Sequence, residues 1–163
     1  YVCTDEHNLY YEMEEIDWSN SGNSKIQKKH KNRNKSNYIR SIRLDDLDIS
    51  PSLIKIDVQG SELNVLKGGF NLINKCRPII IIEIEEHHLQ EFNTSSKELL
   101  NELLSMDYVV YRIMNEYPCD HIAVPVEKDT YDFQQITNHN VNLIDRKIKK
   151  LSIKWPLYDQ IIE

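Results

Sequence analysis

The run Leu53-Ile54-Lys55-Ile56-Asp57-Val58-Gln59-Gly60-Ser61-Glu62 constrains this chain more than any other stretch. A short apolar strand carrying two polar residues, Lys55 and Asp57, runs into a glycine, and a helical pattern starts straight after it. In open α/β sheets, ligands bind in the crevice outside the carboxyl ends of the strands. Asp57, Gln59 and Glu62 fall at or just beyond such an end. The run Pro78-Ile79-Ile80-Ile81-Ile82-Glu83-Ile84 reads as a neighbouring buried parallel strand. Glu83 interrupts it near its own carboxyl end. Two strands that each deliver a carboxylate to one edge point to a site rather than a plain core.

Between them, Ser61–Lys75 predicts one helix, because Leu63, Leu66, Phe70 and Ile73 share an apolar stripe. A second helix is expected over Ser96–Met106, with Leu99, Leu100, Leu103 and Leu104 inward. The run Asn93–Ser96 followed by Glu98 supplies candidates for a capping box. Strands are expected near Leu9–Met13, over Tyr38–Leu44, and over Tyr108–Met114 and His121–Pro125, the last two as a hairpin. Asp17–Asn37, rich in Ser, Asn and Lys, reads as a long exposed loop. The order of strands and helices argues for an α/β fold, a mostly parallel sheet with helices on its faces and an antiparallel strand at its end.

At 163 residues the chain fits one domain with a real core. A net charge of −6, with no long basic run beyond Lys25–Lys35, argues against nucleic-acid binding. No aromatic residue interleaves that run, so it reads as solvated loop. No apolar run approaches the roughly 20 residues of a membrane helix. Cys3, Cys76 and Cys119 are odd in number and far apart, which favours a reducing, intracellular, cytoplasmic setting over a disulfide framework. The chain opens on Tyr1 with no signal-peptide pattern, and is expected to be a piece of a longer polypeptide.

Ile42-Arg43-Leu44-Asp45-Asp46-Leu47, then Ile54–Glu62, then Val65-Leu66-Lys67-Gly68-Gly69 resemble the FkbM-type methyltransferases, a branch of the class I enzymes that use S-adenosylmethionine. Arg77-Pro78-Ile79 through Glu83 and the His121–Pro125 strand continue the resemblance, which covers about residues 38–125. Gln59 departs from it, since the family usually carries Glu there. The family's glycine-rich turn, which receives the methionine part of the cofactor, has no counterpart among Gly22, Gly60, Gly68 and Gly69. The resemblance therefore implies a Rossmann-like class I methyltransferase sheet, mostly parallel with a terminal antiparallel strand and with its N-terminal strands missing. On that reading, residues 1–128 are the carboxyl-terminal part of the methyltransferase domain and 129–163 a helical extension, with an amphipathic segment at Val141–Ile153.

The activity so implied is O-methylation of a hydroxyl on a sugar, glycan or small metabolite. Asp57 would position or deprotonate the acceptor, with Lys55, Glu62 and Glu83 shaping the pocket. Asp45, Asp57, Val58 and Gln59 are the cofactor-side candidates, Asp45 by analogy of fold alone. Each has a plainer reading. Asp57 can pair with Lys55, which lies on the same strand face, or cap the next helix. Glu62 can simply favour a helix dipole, and Glu83 can satisfy a lysine or the backbone. Glu85-Glu86-His87-His88 is expected to be a solvated loop with no metal, because adjacent histidines on a loop seldom point at one ion. Two other functions stay open: a non-catalytic, degenerate methyltransferase module acting in protein interaction, and a metal-dependent glycosyltransferase built on the acidic run Asp45–Asp48.

Overall fold

The amino-terminal segment builds a sheet of its own. The computed structural model describes residues 2–13, 26–30, 38–113, 120–129 and 141–145. Strands β1 (Val2–Cys3), β2 (Tyr10–Met13), β3 (Ile26–His30) and β4 (Tyr38–Ile42) form a four-stranded sheet in the order β1-β4-β2-β3. Strand β3 lies inside the segment expected to be loop. Its sequence, Ile-Gln-Lys-Lys-His, has no apolar alternation, and an edge strand can be held by backbone pairing to β2 alone. Ser41 pins this sheet. It is fully buried, its hydroxyl donates to the Glu6 carbonyl at 2.9 Å, and it accepts from the Leu9 N–H at 2.9 Å. A short 3-10 turn, Leu44–Asp46, leads onward.

The main sheet starts with β5 (Leu53–Ile56). A parallel neighbour needs a long crossover, and α1 (Glu62–Gly68) and α2 (Phe70–Cys76) supply it before β6 (Ile79–Glu83). The single helix expected over 61–75 is in fact two. Gly69 leaves helical geometry at φ −111°, while the bonds Gly69 N–H to Val65 O (3.0 Å) and Ile73 N–H to Gly69 O (2.8 Å) carry the turn through the bend. Gly68 lies so close to the Thr4 carbonyl that a Cβ there would strike it. The bend turns Phe70 outward, 44% exposed, whereas Leu63, Leu66 and Ile73 keep the buried stripe.

Next come α3 (Glu86–Glu91), α4 (Ser96–Ser105), β7 (Tyr108–Ile113), β8 (Asp120–Pro125) and β9 (Val141–Asp145). Helix α3 replaces the loop expected at 85–88. Ser95 caps α4 within the capping-box sequence Ser-x-x-Glu: its Oγ accepts the Glu98 N–H at 3.3 Å and donates to the Glu98 carboxylate at 3.0 Å, in place of the carboxylate's reach to the Ser95 N–H. Leu99, Leu100 and Leu103 are buried as expected, and Leu104 only in part. The sheet order is β5-β6-β8-β7-β9, in which only β5–β6 is parallel. The expectation of a mostly parallel sheet is therefore corrected. The β7–β8 hairpin is as expected, but β8 pairs antiparallel with β6 and β9 adds antiparallel to β7, so antiparallel pairs make up most of the sheet. Strand β9 also corrects the helical extension at its centre. Val141–Asp145 is drawn into the sheet by antiparallel pairing to β7, and the rest of 130–163 lies outside the described residues.

One continuous core joins the helices to one face of this sheet: Ile56, Ile80, Ile82, Val110 and Ala123 from strands, with Leu66, Ile73, Leu89, Leu99, Leu100 and Leu103 from helices. Each such large side chain contributes about 1.5–3 kcal/mol through burial. Leu44 and Cys3 pack onto the same core, tying the small sheet to it. Cys3 and Cys76 are free thiols. No helix among the described residues is long and apolar enough to cross a membrane.

Candidate active site

The β5–β6 register sets the site. Ile56 pairs with Ile82, so the next residues, Asp57 and Glu83, come level at the carboxyl edge of the two strands. Strand β8 runs the other way and begins there, with Asp120 opposite Glu83. Three carboxylates thus collect at one edge beside Lys55.

Lys55 Nζ donates to Asp57 Oδ2 at 3.0 Å, the contact that strand alternation predicts. Gln59 Nε2 donates to Asp57 Oδ1 at 3.1 Å and to Glu83 Oε2 at 2.8 Å. A neutral amide therefore bridges two carboxylates, where a glutamate would set three acceptors against one another. Partial burial pushes the Asp57 carboxyl up, but hydrogen bonds from Lys55 and Gln59 and the lysine charge outweigh it and hold it below the usual carboxylate range. Lys55 is raised, first by its hydrogen bond to Asp57 and then by that residue's charge, with smaller contributions from Asp120 and Glu83.

The amide reaches both carboxylates because the chain turns back sharply. Gln59 at φ 52° and Gly60 at φ 105° both occupy left-handed backbone space. Holding a residue with a Cβ there costs about 1–2 kcal/mol. Gly60 has no alternative, since a Cβ would run into the His88 carbonyl of α3.

Glu62 clamps this turn from below. Its Oε1 accepts the N–H of Val58 at 3.2 Å and of Gly60 at 3.0 Å, and the residue is 2% exposed. Burial pushes its carboxyl up, backbone N–H groups of Gly60, Glu62 and Val58 oppose that, and the Asp57 charge adds to it. Glu62 thus shapes the turn from beneath and does not join the polar cluster. Val58 has its N–H committed to Glu62 and packs its side chain on the core. Asp45 stands apart. Its carboxylate accepts from Arg43 (3.0 Å), from the N–H groups of Asn71 (3.3 Å) and Leu72 (2.8 Å), and from the Asn71 amide (2.9 Å). It satisfies the donors that the helix bend exposes at the start of α2.

Two buried acceptors, Gln59 Oε1 and Glu62 Oε2, have no partner among the described residues. Gln59 Oε1 lies on the same amide that bridges Asp57 and Glu83. Asp120 escapes a reading of the sequence because only the antiparallel β6–β8 register carries it to this edge. The acidic run Asp45–Asp48 does not converge: Asp45 is spent on α2 and Asp46 pairs with His7 at 2.7 Å. An open hollow of about 510 Å³, lined by Asn74, Arg77 and Glu127 among others, lies at the opposite end of β6 and holds none of these residues.

Residues 1–110 match the model of the methyltransferase FkbM domain. The chain belongs to the FkbM methyltransferase family. A solved FkbM methyltransferase from Methylobacillus flagellatus KT is 29% identical over 53% of this chain and 23% of its own, with a TM-score of 0.41. The chain thus spans less than a quarter of that protein's length. No curated protein matches it. The family match takes in Lys55, Asp57, Gln59, Glu62 and Glu83 and ends inside β7, before Asp120.

Proposed function

We propose that this edge is the acceptor side of an S-adenosylmethionine-dependent methyltransferase with a Rossmann-like sheet, acting on a hydroxyl of a sugar or other small molecule. The observation that carries the reading is the Lys55–Asp57–Gln59–Glu83 network at the carboxyl ends of two parallel strands, in a chain of this family. The residues present fit a cationic, hydroxyl-bearing ligand: three carboxylates outnumber one lysine, and Gln59 Oε1 is an acceptor without a donor. Asp45 does not fit, because α2 takes its carboxylate. The cofactor, when bound, supplies an electrophilic methyl group.

Asp57 accepts the hydrogen bond of the acceptor hydroxyl and takes its proton as the oxygen is alkylated. Its lowered pKa makes it a weak ground-state base, so orientation of the hydroxyl is its larger contribution. Lys55 keeps the carboxylate ionised. Gln59 fixes its rotamer, and the backbone strain at Gln59 is what aims the amide. Glu83 anchors the other side of that amide.

The test uses the polypeptide that carries this chain, radiolabelled S-adenosylmethionine and a panel of sugar and small-molecule hydroxyls. Transfer should fall by about 10²–10⁴-fold in Asp57→Asn with cofactor affinity little changed. Equal rates in the variant and the parent would overturn the assignment. Neither cofactor binding nor transfer would favour a non-catalytic module.

A further inference from the structure

We infer that Glu85, His87 and His88 form a binding site for a zinc-class transition-metal dication, separate from the Asp57 network. One donor atom from each residue comes within 4.8 Å of the others. Glu85 Oε1 lies 3.6 Å from His87 Nδ1, and Glu85 Oε2 lies 3.2 Å from His88 Nδ1. Donors about 2.0–2.2 Å from a tetrahedral zinc stand roughly 3.3–3.5 Å apart. Each histidine thus already lies near that length from one of the two Glu85 oxygens, and the three residues' donor atoms are close enough together to hold one ion.

The fold explains why two adjacent histidines can serve one ion here. They sit on the first turn of α3 rather than on a loop, with ring centroids 4.4 Å apart, and Glu85 precedes them in extended backbone. If His87 binds through Nδ1, its Nε2 faces the Glu91 carboxylate, 3.5 Å away. A carboxylate on the far nitrogen of a ligating imidazole fixes its tautomer and raises its basicity. His88 is buried and His87 is 69% exposed, so one side of the site is dry and the other open to water. Two imidazoles and one carboxylate suit zinc, cobalt or nickel. Magnesium and calcium prefer oxygen alone. Three protein ligands leave a position for water or a ligand oxygen.

An ion here would brace Glu85, which caps α3, against the first turn of that helix. The same helix presents the His88 carbonyl against Gly60, so the ion would stiffen the turn that carries Gln59. The inference does not depend on methyl transfer.

The test is titration of the metal-free protein with Zn²⁺ against a chromogenic chelator, with Mg²⁺ as control, and Co²⁺ absorption as a read-out of coordination. One equivalent of Zn²⁺ should bind, with a Co²⁺ spectrum of low coordination number and no competition from millimolar Mg²⁺. Glu91→Gln should weaken binding by about 10-fold or more. His87→Ala should weaken it further and abolish the Co²⁺ bands, with the melting temperature of the metal-free protein unchanged because that ring is exposed. Absence of stoichiometric Zn²⁺ uptake, or uptake that His87→Ala leaves intact, overturns the proposal.

Discussion

Strands β5 and β6 carry charged groups at both ends, and the two ends treat them differently. At the amino end, Arg77 is saturated. Its guanidinium donates to Met106 O (2.6 Å), Asp107 O (3.1 Å) and both Glu127 oxygens (2.7 and 3.0 Å), lies 4.8 Å over the Tyr108 ring, and Lys128 donates to its carbonyl. At the carboxyl end, the network is closed around Asp57 but leaves Gln59 Oε1 buried with no partner among the described residues, on strained backbone, next to an exposed ion pair. Charges that join distant segments are there for the fold. At the carboxyl end the contacts run from Asp57 to Lys55 and to Gln59, with Glu83 joined through the Gln59 amide, the arrangement on which the proposed function rests.

The sharpest way to break that contrast is Gly60→Ala. The new Cβ meets the His88 carbonyl at a φ that alanine resists, so destabilisation should reach about 3 kcal/mol or more in denaturant unfolding. A near-neutral result would mean the turn is not rigid and the aiming of Gln59 is incidental. Arg77→Ala should cost about 2–3 kcal/mol, because it removes the charged hydrogen bonds and the packing over the Tyr108 ring in one step. Asp57→Asn should cost less than about 1 kcal/mol, as an exposed pair does. Equal destabilisation by the two variants would erase the distinction between the ends.

Much of this fold is legible in the chain because its signals are local. The isoleucine run of β6, the capping box of α4 and the leucines behind it need no knowledge of partners. The polar strand β3 is not legible, since only pairing to β2 makes it a strand. The requirement for glycine at 68, beside the bend, comes from the Thr4 carbonyl, more than sixty residues away. The site divides in the same way. The Lys55–Asp57 contact follows from alternation within one strand. Asp45 misleads because its partners lie 26 and 27 residues on. Gln59 reaches Glu83 through a left-handed turn and an inter-strand register, neither written in a local pattern.

Acid titration sharpens the contrast further, and Glu62 gives the larger effect because it is buried. Its folded pKa is raised above the ordinary glutamate value of 4.5. Its contribution to stability is therefore fully present below pH 4.5 and is lost as pH rises through the raised value. Glu62→Gln keeps an Oε1 for the Val58 and Gly60 N–H groups and carries no charge to bury. The variant should be more stable than the parent at neutral pH, with the difference vanishing below pH 4.5. Urea midpoints measured from about pH 3 to 8 would show this. A variant less stable at neutral pH would mean that Oε2 makes a contact worth more than its burial costs.

Glu127 has the opposite sign and the smallest expected effect. Its hydrogen bond from Arg77 lowers its pKa to about 2 despite some burial, with further help from its own backbone N–H and the charges of Arg77 and Lys128. A lowered carboxyl stabilises above the unfolded value of 4.5, and that stabilisation is lost as pH falls toward about 2. Glu127→Gln should flatten the stability curve between pH 4.5 and about 2 and lie below the parent at neutral pH. The side chain is 53% exposed, so water and salt screen the pair. Most of the difference should therefore disappear in about 1 M salt, where the Debye length falls to roughly 3 Å. Retention of the full effect in salt would mean that bidentate geometry rather than charge holds Arg77. The amino end would then resemble the Gln59 bridge more than the contrast allows.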